Sequence, residues 1–354
     1  MSERCYAVVM AGGRGERFWP FSEPMLPKPF IPLLSKMTLI QETVERVTHV
    51  LPEERIIIVL SQDHLPLAQR QLPGIPLDNF ILEPFGRDTA ACIGLASLSI
   101  GRRDKDATMV VVAADHVIRD VGAFSATVAS TLRFIAAHDY LVTIGITPTR
   151  AETGYGYIEV GETVGSSGGS VFYGVKRFIE KPDLAAATTY LNAGHFYWNS
   201  GIFVWRNSTI QRMLALYMPA LWSGLSRIAC SVGSKEEKEV VREEFSKFEK
   251  ASIDYGVLEK SPQVAVVPAL FDWDDVGTWN ALERIGTLDE DGNVVVGKHV
   301  GKDTGNCIVF SQDQLVATFG VRDLVIAQVR GKTLVCHKDK APHLKELLQL
   351  IEDK

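Results

Sequence analysis

The sequence predicts an α/β fold in which a mostly parallel sheet is flanked by helices and followed by a small β domain. In the first half of the chain, apolar segments of strand length alternate with helical patterns, which is typical of right-handed βαβ units. Residues 109–113 are apolar at every position, as expected for a strand covered on both faces of its sheet. From residue 293 onward, short β-branched runs are separated by turns, and this pattern indicates a separate β domain.

The first half of the chain contains five predicted strands and three predicted helices. The predicted strands are 6–11, 55–60, 80–82, 108–113 and 140–146, and the predicted helices are 39–47, 90–101 and 122–138. Further helices are expected near 183–192, within the amphipathic stretch 207–250 and near 343–352. The change in pattern divides the chain into a large α/β domain, residues 1–288, and a C-terminal β domain with a terminal helix, residues 289–354.

The composition is that of an ordinary globular protein. Of 354 residues, 46% are hydrophobic and 23% are charged, and the length suits one large and one small domain. The formal net charge of −6 argues against a nucleic-acid partner. The sequence contains no apolar run of the roughly 18 residues that a membrane span needs, and no cleavable signal is expected. Five scattered cysteines favour reduced thiols and a cytoplasmic location.

A glycine-rich loop directly after the first predicted strand is the first motif that indicates chemistry. Glycines allow positive φ values, and the N–H groups of such a turn can form a concave site for an anion. Arginine adds a fixed charge with bidentate donors that suit phosphate oxygens, and a lysine follows between two prolines. The sequence therefore predicts a phosphate site whose candidate contacts are the glycines Gly12, Gly13 and Gly15 and the cations Arg14, Arg17 and Lys28.

This loop differs from the two common phosphate-binding loops. A P-loop needs Lys-Ser or Lys-Thr after its glycines, and neither pair follows here. Read from Gly12, a dinucleotide-binding fingerprint would need a glycine at position 17, where this sequence has Arg17. Five prolines between residues 20 and 32 also prevent a helix at this place. The loop is therefore either a proline-stiffened cover over phosphates or a strand-to-loop turn with solvated arginines.

An aspartate at the end of a buried strand, Asp115, is the second chemical motif. It follows the predicted strand at 108–113 and precedes His116. Proteins usually hold Mg²⁺ with one or two carboxylates together with substrate phosphates, so Asp115 is a candidate metal ligand, and the alternative is a cap of the next turn. Since ligands bind at the carboxyl ends of strands in such sheets, the glycine loop and Asp115 are expected at one cleft.

A third polar segment surrounds the start of the helix predicted at 90–101. Glu83, Arg87 and Thr89 are polar residues that precede that helix. Asp88 or Thr89 is alternatively its N-cap, because both side chains readily accept a hydrogen bond from a helix N-terminus.

Two more charged segments lie in the second half of the chain. Glu180 and Lys181 end an apolar strand pattern, where Pro182 stops further pairing. Three aspartates lie between residues 272 and 275, either as a solvated turn or as part of a metal site.

Together these segments resemble the signature of the sugar-1-phosphate nucleotidylyltransferases. That family has a Gly-x-Gly-x-Arg-x-x-Pro loop followed by Pro-Lys, a Glu-Lys pair, a Trp-Asn-Ser-Gly element and a Trp-x-Asp-Val-Gly-Ser/Thr-Trp box. The matching residues are Gly13, Gly15, Arg17, Pro20, Lys28, Glu180, Lys181, Trp198, Asn199, Trp273 and Asp275. The family also has Glu-Pro followed after a gap by Arg-Asn-Thr-Ala-Pro. This sequence matches that element at Glu83, Arg87 and Thr89 but departs from it at Asp88 and Ala91, where the family has Asn and Pro.

The resemblance covers nearly the whole chain and is most specific for the members that use GTP and mannose 1-phosphate. It implies a Rossmann-like nucleotidyltransferase fold, a short left-handed β-helix near the C-terminal end and a homodimer. Because the chain ends soon after the β region, it also implies that the isomerase domain of longer relatives is absent.

The resemblance also implies a role for each matching residue. The catalytic set is Arg17, Lys28, Asp115, Lys181 and Asp275, of which Asp115 and Asp275 hold Mg²⁺. The nucleotide contacts are Ala11, Gly12, Gly13, Gly15, Glu83, Arg87 and Thr89, and the sugar-phosphate contacts are Gly154, Glu180, Lys181 and Asn199. The residues Ser252, Asp254 and Glu259 lie in a further family box and are expected to shape the pocket.

Two other functions stay open at this point. The chain could use another pair of substrates, such as UTP with glucose 1-phosphate or GTP with a heptose phosphate. It could also be a catalytically silent regulatory subunit that binds a sugar nucleotide. Such a subunit should have lost cations or metal ligands, whereas the five residues of the catalytic set are present. A nicotinamide dehydrogenase is disfavoured because Arg17 replaces the fingerprint glycine.

Overall fold

The computed structural model of the chain describes residues 4–13 and 15–352, so the loop cation Arg14 lies outside the described residues. The described chain divides into two compact units, each assembled from separate stretches of sequence. The first unit contains the residues up to Gly12, Val44–Ala114 and Ile118–Trp273. The second contains Gly13–Thr43, Asp115–Val117 and the chain from Asp274 onward. The domain limits at residues 288 and 289 stay a prediction.

A single sheet of nine strands organises the first unit. The strands are β1 (Cys5–Met10), β2 (Ile56–Ser61), β3 (Phe80–Glu83), β4 (Thr108–Ala113), β5 (Leu141–Ile146), β6 (Tyr157–Ser167), β7 (Ser170–Ile179), β8 (Phe196–Arg206) and β9 (Val264–Pro268). Their order in the sheet is β3-β2-β1-β4-β8-β5-β9-β7-β6. The predicted α/β fold with helices flanking a large sheet is confirmed.

The parallel and antiparallel parts of this sheet come from different parts of the chain. The strands β3, β2, β1 and β4 are parallel neighbours, and β5 is parallel to β9. By contrast, β8 runs antiparallel to β4 and β5, and β7 runs antiparallel to β6 and β9. Gly168 and Gly169 join β6 to β7 with positive φ values, and so short a connection permits only antiparallel pairing.

Helices fall close to the positions that the sequence predicts. The helices are α1 (Leu39–Thr48), α2 (Leu65–Gln71), α3 (Asp88–Arg103), α4 (Val121–Ala137), α5 (Leu184–Ala193), α6 (Asn207–Tyr217), α7 (Pro219–Ser231), α8 (Glu237–Lys247), α9 (Leu282–Ile285) and α10 (Leu344–Glu352). The stretch 207–250 forms three helices, and Pro219 begins the second of them, a position at which the missing N–H of proline costs nothing. Among residues 4–13 and 15–352, no helix is both long and apolar enough to cross a membrane.

The second unit contains short strands that pair in parallel without helices between them. They are β10 (Val294–Val296), β11 (His299–Lys302), β12 (Ile308–Ser311), β13 (Val316–Phe319), β14 (Leu324–Val329) and β15 (Lys332–His337). β12 lies between β10 and β14 in parallel register, and β11 is parallel to β13. Only β15 runs antiparallel to its neighbour β14. The predicted small β domain is confirmed, and the left-handed sense of the predicted β-helix stays a prediction.

The residues that directly follow the glycine-rich loop pack in the core of this second unit. Phe18 lies 5.2 Å from the ring of Trp279, and Phe21 lies 4.6 Å from the ring of Phe310, between ring centroids. The indole N–H of Trp279 donates to the carbonyl of Trp19 at 3.1 Å. Aromatic contacts of this kind dominate core energetics because each ring buries a large apolar area. They anchor the loop to residues that lie far from it in sequence.

Gly15 is the position of the loop that tolerates no side chain. Its φ is +64°, and a Cβ there would lie 2.2 Å from the Cβ of Lys28. We expect Gly15→Ala to lower the free energy of unfolding by about 2 kcal/mol or more, because the left-handed backbone and the overpacking each cost about 1–2 kcal/mol. Urea unfolding at equilibrium measures the difference.

Gly13→Ala is the matched control for that measurement. Gly13 has no positive φ, and nothing lies within 4 Å of a Cβ built on it. Its unfolding midpoint should therefore stay near that of the unchanged chain, and an equal loss in both variants would contradict the assigned role of Gly15.

Candidate functional site

A buried lysine connects the two aspartates that the sequence proposes as metal ligands. Lys28 is only 5% exposed, and its Nζ donates to Asp115 Oδ2 at 2.9 Å. The same Nζ donates to the backbone oxygen of Asp275 at 2.6 Å. Although Asp115 and Asp275 are distant from Lys28 in sequence, the fold of the second unit brings both of them to its ammonium group.

A short backbone bridge places the two aspartates beside each other. Val117 donates its N–H to the carbonyl of Asp274 at 2.9 Å, and Asp274 returns a bond to Val117 at 3.0 Å. These bonds pair the segment after Asp115 with the segment before Asp275. The bridge explains how a strand-end residue and the acidic run reach the same place.

The aspartates of the acidic run have different tasks in the fold. The buried carboxylate of Asp274 accepts two hydrogen bonds from Arg284, at 2.5 and 2.8 Å, and one from the N–H of Val276 at 2.8 Å. Asp272 is exposed and accepts the N–H groups of residues 119 and 120. The partly exposed Asp275 accepts the N–H of Gly277 at 3.1 Å. Asp274 is thus a structural anchor that fixes the backbone of Asp275.

The electrostatic setting keeps Asp115 ionised. Burial by itself raises the pKa of Asp115, but the charges of Lys28 and His116 and the hydrogen bond from Lys28 outweigh it, so the pKa lies below its ordinary value. The ring of Phe18 also lies 5.9 Å from the Lys28 ammonium, within the range of a cation–π contact. Asp115 therefore remains an anionic oxygen donor at neutral pH.

The donor set at this place suits a hard cation that is shared with a substrate. Among residues 4–13 and 15–352, no group of three or more His, Cys, Asp or Glu side chains could hold a metal ion by itself. Two carboxylates, those of Asp115 and Asp275, are what proteins commonly supply to Mg²⁺ when phosphates complete the coordination. The carboxylate of Asp115 already binds one cation, the ammonium of Lys28. The residues present fit such an ion.

Part of the glycine loop is exposed to solvent. Gly12, Gly13 and Arg17 are exposed, whereas Ala11 is fully buried. Arg17 lies in a short 3-10 turn, Glu16–Phe18, and the carbonyl of Gly15 accepts the hydroxyl of Ser22. The loop is thus fixed at Gly15, while its neighbouring amides and the Arg17 guanidinium remain accessible to an anion.

Glu83 is a buried carboxylate that has no ion-pair partner among residues 4–13 and 15–352. It is 4% exposed, and its buried Oε1 has no hydrogen-bond partner among the described residues. Removal from water, and then the charge of Asp88, raise the pKa of Glu83 to about 7. A Cβ added to Gly12 would lie 3.5 Å from the other oxygen. A buried acceptor without a hydrogen bond is costly, so Oε1 of Glu83 is available to accept a hydrogen bond from a ligand.

Arg87 and Thr89 are engaged within the fold. Arg87 donates to the carbonyls of Phe245 and Ser246, at 2.7 and 2.9 Å, and so caps the end of α8. The hydroxyl of Thr89 accepts the N–H of Ile253 at 2.8 Å. The cap position of α3 is Arg87, which makes no side-chain cap bond, and Asp88 follows with φ +68°. The carboxylate of Asp88 accepts the N–H of Thr89 at 2.7 Å, so Asp88 does receive a hydrogen bond at the start of α3, whereas the hydroxyl of Thr89 accepts from Ile253 instead.

The residues predicted to bind the sugar phosphate lie in the first unit. The N–H of Gly154 donates to Glu152 Oε1 at 3.0 Å. Glu180 and Lys181 form an exposed ion pair at 2.9 Å, and Lys181 has φ +42°. Asn199 lies in β8 and is partly exposed. An exposed acid, an exposed ammonium and a partly exposed amide are available to a hydroxylated anion.

Sequence reasoning missed the immediate neighbours of Asn199. Its Nδ2 donates to Asp254 Oδ1 at 2.7 Å, and its Oδ1 accepts the hydroxyl of Thr143 at 3.1 Å. The family box around Asp254 was the available signal, but it indicated only a residue that shapes the pocket. Nothing in the sequence pattern singles out Thr143.

The predicted site residues are distributed over both units. Gly13, Gly15, Arg17, Lys28, Asp115 and Asp275 belong to the second unit. The first unit contains Ala11, Gly12, Glu83, Arg87, Thr89, Gly154, Glu180, Lys181 and Asn199.

Comparison with known proteins agrees with the fold and with the predicted motifs. Residues 6–292 match the family model described as nucleotidyl transferase, and residues 297–350 match a MannoseP isomerase/GMP-like beta-helix domain. A mannose-1-phosphate guanylyltransferase of Escherichia coli K12 is 37% identical over 99% of this chain and 74% of its own length. The RfbM enzyme of Salmonella typhimurium, which has the same name, is 36% identical over 98% of this chain and 72% of its own length.

A solved structure is similar over its full length. A Thermus thermophilus protein, described as a mannose-1-phosphate geranyltransferase, superposes with a TM-score of 0.88 at 38% identity, and the match covers 99% of both chains. The two units, their motifs and these similarities lead to one assignment: the chain belongs to the mannose-1-phosphate guanylyltransferase family of nucleotidyl transferases.

Proposed function

We propose that this chain transfers GMP from GTP to mannose 1-phosphate, which yields GDP-mannose and pyrophosphate. The observation that carries the proposal is the contact of the Lys28 ammonium with Asp115 and with the backbone of Asp275. This cluster combines anionic oxygen donors with a cation, as a reaction between two phosphorylated substrates requires. The names of the relatives supply the identity of the two substrates.

In the proposed reaction, an oxygen of the sugar phosphate attacks the α-phosphorus of GTP in line. A new P–O bond joins the two substrates, the bond between the α-phosphorus and its bridging oxygen to the β-phosphate breaks, and pyrophosphate leaves. No nucleophilic side chain is needed, because positioning and charge stabilisation are sufficient for this chemistry. Arg17, Lys28 and the amides of Gly13 and Gly15 are assigned to the departing pyrophosphate.

Asp115 and Asp275 are assigned to a Mg²⁺ ion. When bound, this ion supplies Lewis-acid stabilisation of the α-phosphate and orients the attacking oxygen. Lys28 keeps Asp115 ionised, so that its carboxylate is ready to bind the ion. Arg284 and Asp274 hold the backbone that carries Asp275.

Glu83 favours guanine among the nucleotide bases. Its buried carboxyl has an oxygen with no donor among the described residues, and guanine offers two neighbouring donors, N1–H and N2–H. Uracil offers one N–H between two carbonyl acceptors, which would face the carboxyl unfavourably. In this proposal Ala11, Gly12, Arg87 and Thr89 complete the nucleotide contacts.

The sugar phosphate is assigned to four residues of the first unit. Lys181 binds its phosphate as a compact charge, Glu180 accepts from hydroxyl groups, and Asn199 and the N–H of Gly154 donate to sugar oxygens. Glu152 now accepts the Gly154 N–H, so a sugar oxygen would replace that carboxylate.

We also propose that the enzyme is a cytoplasmic homodimer without a nucleic-acid or membrane partner. All five cysteines are free, which is common in reducing compartments, and the net charge is −6. Val300 in β11 and Phe319 in β13 are 61% and 71% exposed, and exposed apolar side chains on neighbouring strands are typical of an interface.

Pyrophosphate release from a panel of substrate pairs tests the proposed reaction. GTP, ATP, UTP, CTP and dTTP are each paired with mannose, glucose, fructose and heptose phosphates in the presence of Mg²⁺. We expect the highest kcat/KM for GTP with mannose 1-phosphate. A higher value for another pair would identify a different nucleotidylyltransferase, and no turnover with any pair would favour the regulatory subunit.

Replacement of Asp275 tests the metal assignment. We expect Asp275→Asn to lower kcat by about 100- to 1,000-fold, because a neutral amide binds Mg²⁺ weakly and less transition-state charge is stabilised. Pyrophosphate release over a Mg²⁺ titration provides the measurement. Asp272→Asn is the matched control, since this exposed acid accepts only two backbone N–H groups. Comparable loss of kcat in both variants would contradict the assignment.

Replacement of Glu83 should separate stability from activity. The native pKa of about 7 exceeds the ordinary value of 4.5, so the wild-type chain loses stability as the pH rises from 4.5 through 7. At pH 8 Glu83→Gln should therefore be more stable than wild type by about 1–3 kcal/mol, with the difference shrinking towards pH 4.5. Thermal unfolding at several pH values measures this effect.

The same variant should bind GTP more weakly. Glutamine offers one acceptor oxygen in place of two, and a hydrogen bond to a charged group contributes about 1.5–3 kcal/mol, which corresponds to a rise of about 10- to 100-fold in the KM for GTP. An unchanged KM for GTP would remove Glu83 from the nucleotide site.

A further inference from the structure

Asn199 is held on both sides of its amide group. Its Nδ2 donates to Asp254 Oδ1 at 2.7 Å. Its Oδ1 accepts the hydroxyl of Thr143 at 3.1 Å and lies 3.4 Å from the N–H of Gly201. A carboxylate can only accept and an N–H can only donate, so these partners allow one orientation of the amide.

This orientation determines what Asn199 can offer to a ligand. Its oxygen already has two donors, and one of the two N–H bonds of Nδ2 is directed at Asp254. The second N–H has no partner among the described residues, and Asn199 is partly exposed. Asn199 therefore presents a hydrogen-bond donor, which matches an oxygen of a sugar and not its hydroxyl hydrogen.

The pairing of β5 with β8 is irregular next to Asn199. The pairing of β5 with β8 shifts register between Thr143 and Gly145, and Gly145 lies opposite Asn199. Gly201 in β8 has φ +67°, and the hydroxyl of Ser200 donates to the carbonyl of Ile144 at 2.6 Å. Such an irregularity re-aims a side chain within a sheet. The strand thus directs Asn199 towards Thr143 and Asp254.

Residues at the start of α3 hold the backbone next to Asp254. Its neighbour Ile253 donates its N–H to the hydroxyl of Thr89 at 2.8 Å, and Ala90 donates to the carbonyl of Ala251 at 3.1 Å. Asp254 also begins a single turn of π-helix, Asp254–Leu258, a rare element that is frequent at functional sites. The carboxylate that orients Asn199 is therefore held by its own backbone rather than by a cation.

We propose that Asp254 and Thr143 are positioning residues that fix the amide of Asn199 so that it donates a hydrogen bond to the sugar of the sugar-phosphate substrate. This inference rests on the proposed function, because it assumes that Asn199 faces the sugar. Neither residue touches the substrate, and both act through Asn199.

The electrostatics of the place support a functional reason for Asp254. The pKa of Asp254 is raised to about 6: removal from water is the largest cause, the hydrogen bond from Asn199 opposes it, and the charge of Glu180 adds to it. The neighbouring Glu259 has a raised pKa for the same two causes, burial first and then the charge of Glu180. The buried carboxyl group of Asp254 lies near the acids Glu180 and Asp88, and this arrangement costs stability. Its presence there is consistent with a role at the site.

Steady-state kinetics of three single variants test the proposal. Asp254→Ala and Thr143→Val each remove one of the two partners of the amide, and Thr143→Val keeps the shape of the buried side chain. We expect each to raise the KM for mannose 1-phosphate about tenfold, the loss of one ordinary hydrogen bond, with the KM for GTP changed less than about twofold. Asp254→Asn retains an acceptor oxygen of the same shape and should restore most of the lost affinity.

A double-mutant cycle separates positioning from general damage. In an Asn199→Ala background, Asp254→Ala and Thr143→Val should raise the KM for the sugar phosphate by less than about twofold further, because their effect is transmitted through Asn199. Multiplicative effects in that background would overturn the proposal. Equal increases in the KM for GTP, or a KM for the sugar phosphate unchanged in Thr143→Val, would also overturn it.

The chain offers a matched control in a second Asp–Asn pair. Asn293 Nδ2 donates to Asp289 Oδ2 at 3.1 Å in the second unit. Asp289→Ala should lower the unfolding temperature while leaving both KM values unchanged. An increase in the KM for the sugar phosphate in this control would show that loss of any such pair produces the effect.

Failure of the proposed function and failure of this inference give different results. If wild type prefers another nucleoside triphosphate and sugar phosphate, the proposed substrates are wrong, and the cycle is measured with the preferred pair. Loss of coupling between Asp254 and Asn199 in an enzyme that does use GTP and mannose 1-phosphate would overturn only the inference.

Discussion

The ammonium group of Lys28 is the interaction on which the candidate site depends. Its Nζ bonds to Asp115 and to the backbone of Asp275 in a place where the lysine is only 5% exposed. A buried charge without a partner costs several kcal/mol, so the lysine and its oxygen partners can be buried only together. Gly15 allows the approach, because a Cβ there would collide with Lys28. The glycine loop, the lysine and the two acids therefore form one interdependent set.

The acidic residues of the site fall into two physical classes. Asp115 and Asp274 are paired with the cations Lys28 and Arg284, and they stabilise the fold while they shape the site. Glu83 and Asp254 have raised pKa values because burial and other acids disfavour their charge. Since burial and neighbouring acids disfavour the charged form, these two carboxyl groups cost the folded chain stability, as is common at functional sites.

The sequence was most informative where its local pattern and the tertiary environment agree. The strand at Thr108–Ala113 and the helix that begins at Leu39 are where the apolar periodicity placed them, because a strand covered on both faces and an amphipathic helix each leave a distinct pattern. The motifs around Gly15 and Asp275 likewise indicated phosphate and metal chemistry, since few other functions require those residue types at that spacing. The antiparallel strands β6, β7 and β8 were not foreseen, because pairing direction depends on connections and neighbours rather than on composition.

By itself, the sequence determined the fold class, the family resemblance and the candidate residues, because these follow from periodicity and from motifs within short stretches. Only the tertiary structure decided which residues act together. It joined Lys28 to Asp115 through a contact between distant segments, engaged Arg87 at the end of α8, and placed Thr143 and Asp254 on either side of Asn199. The physical reason is that hydrogen-bond partners and desolvation arise from chain packing, which brings together residues whose separation in sequence carries no trace of their contact.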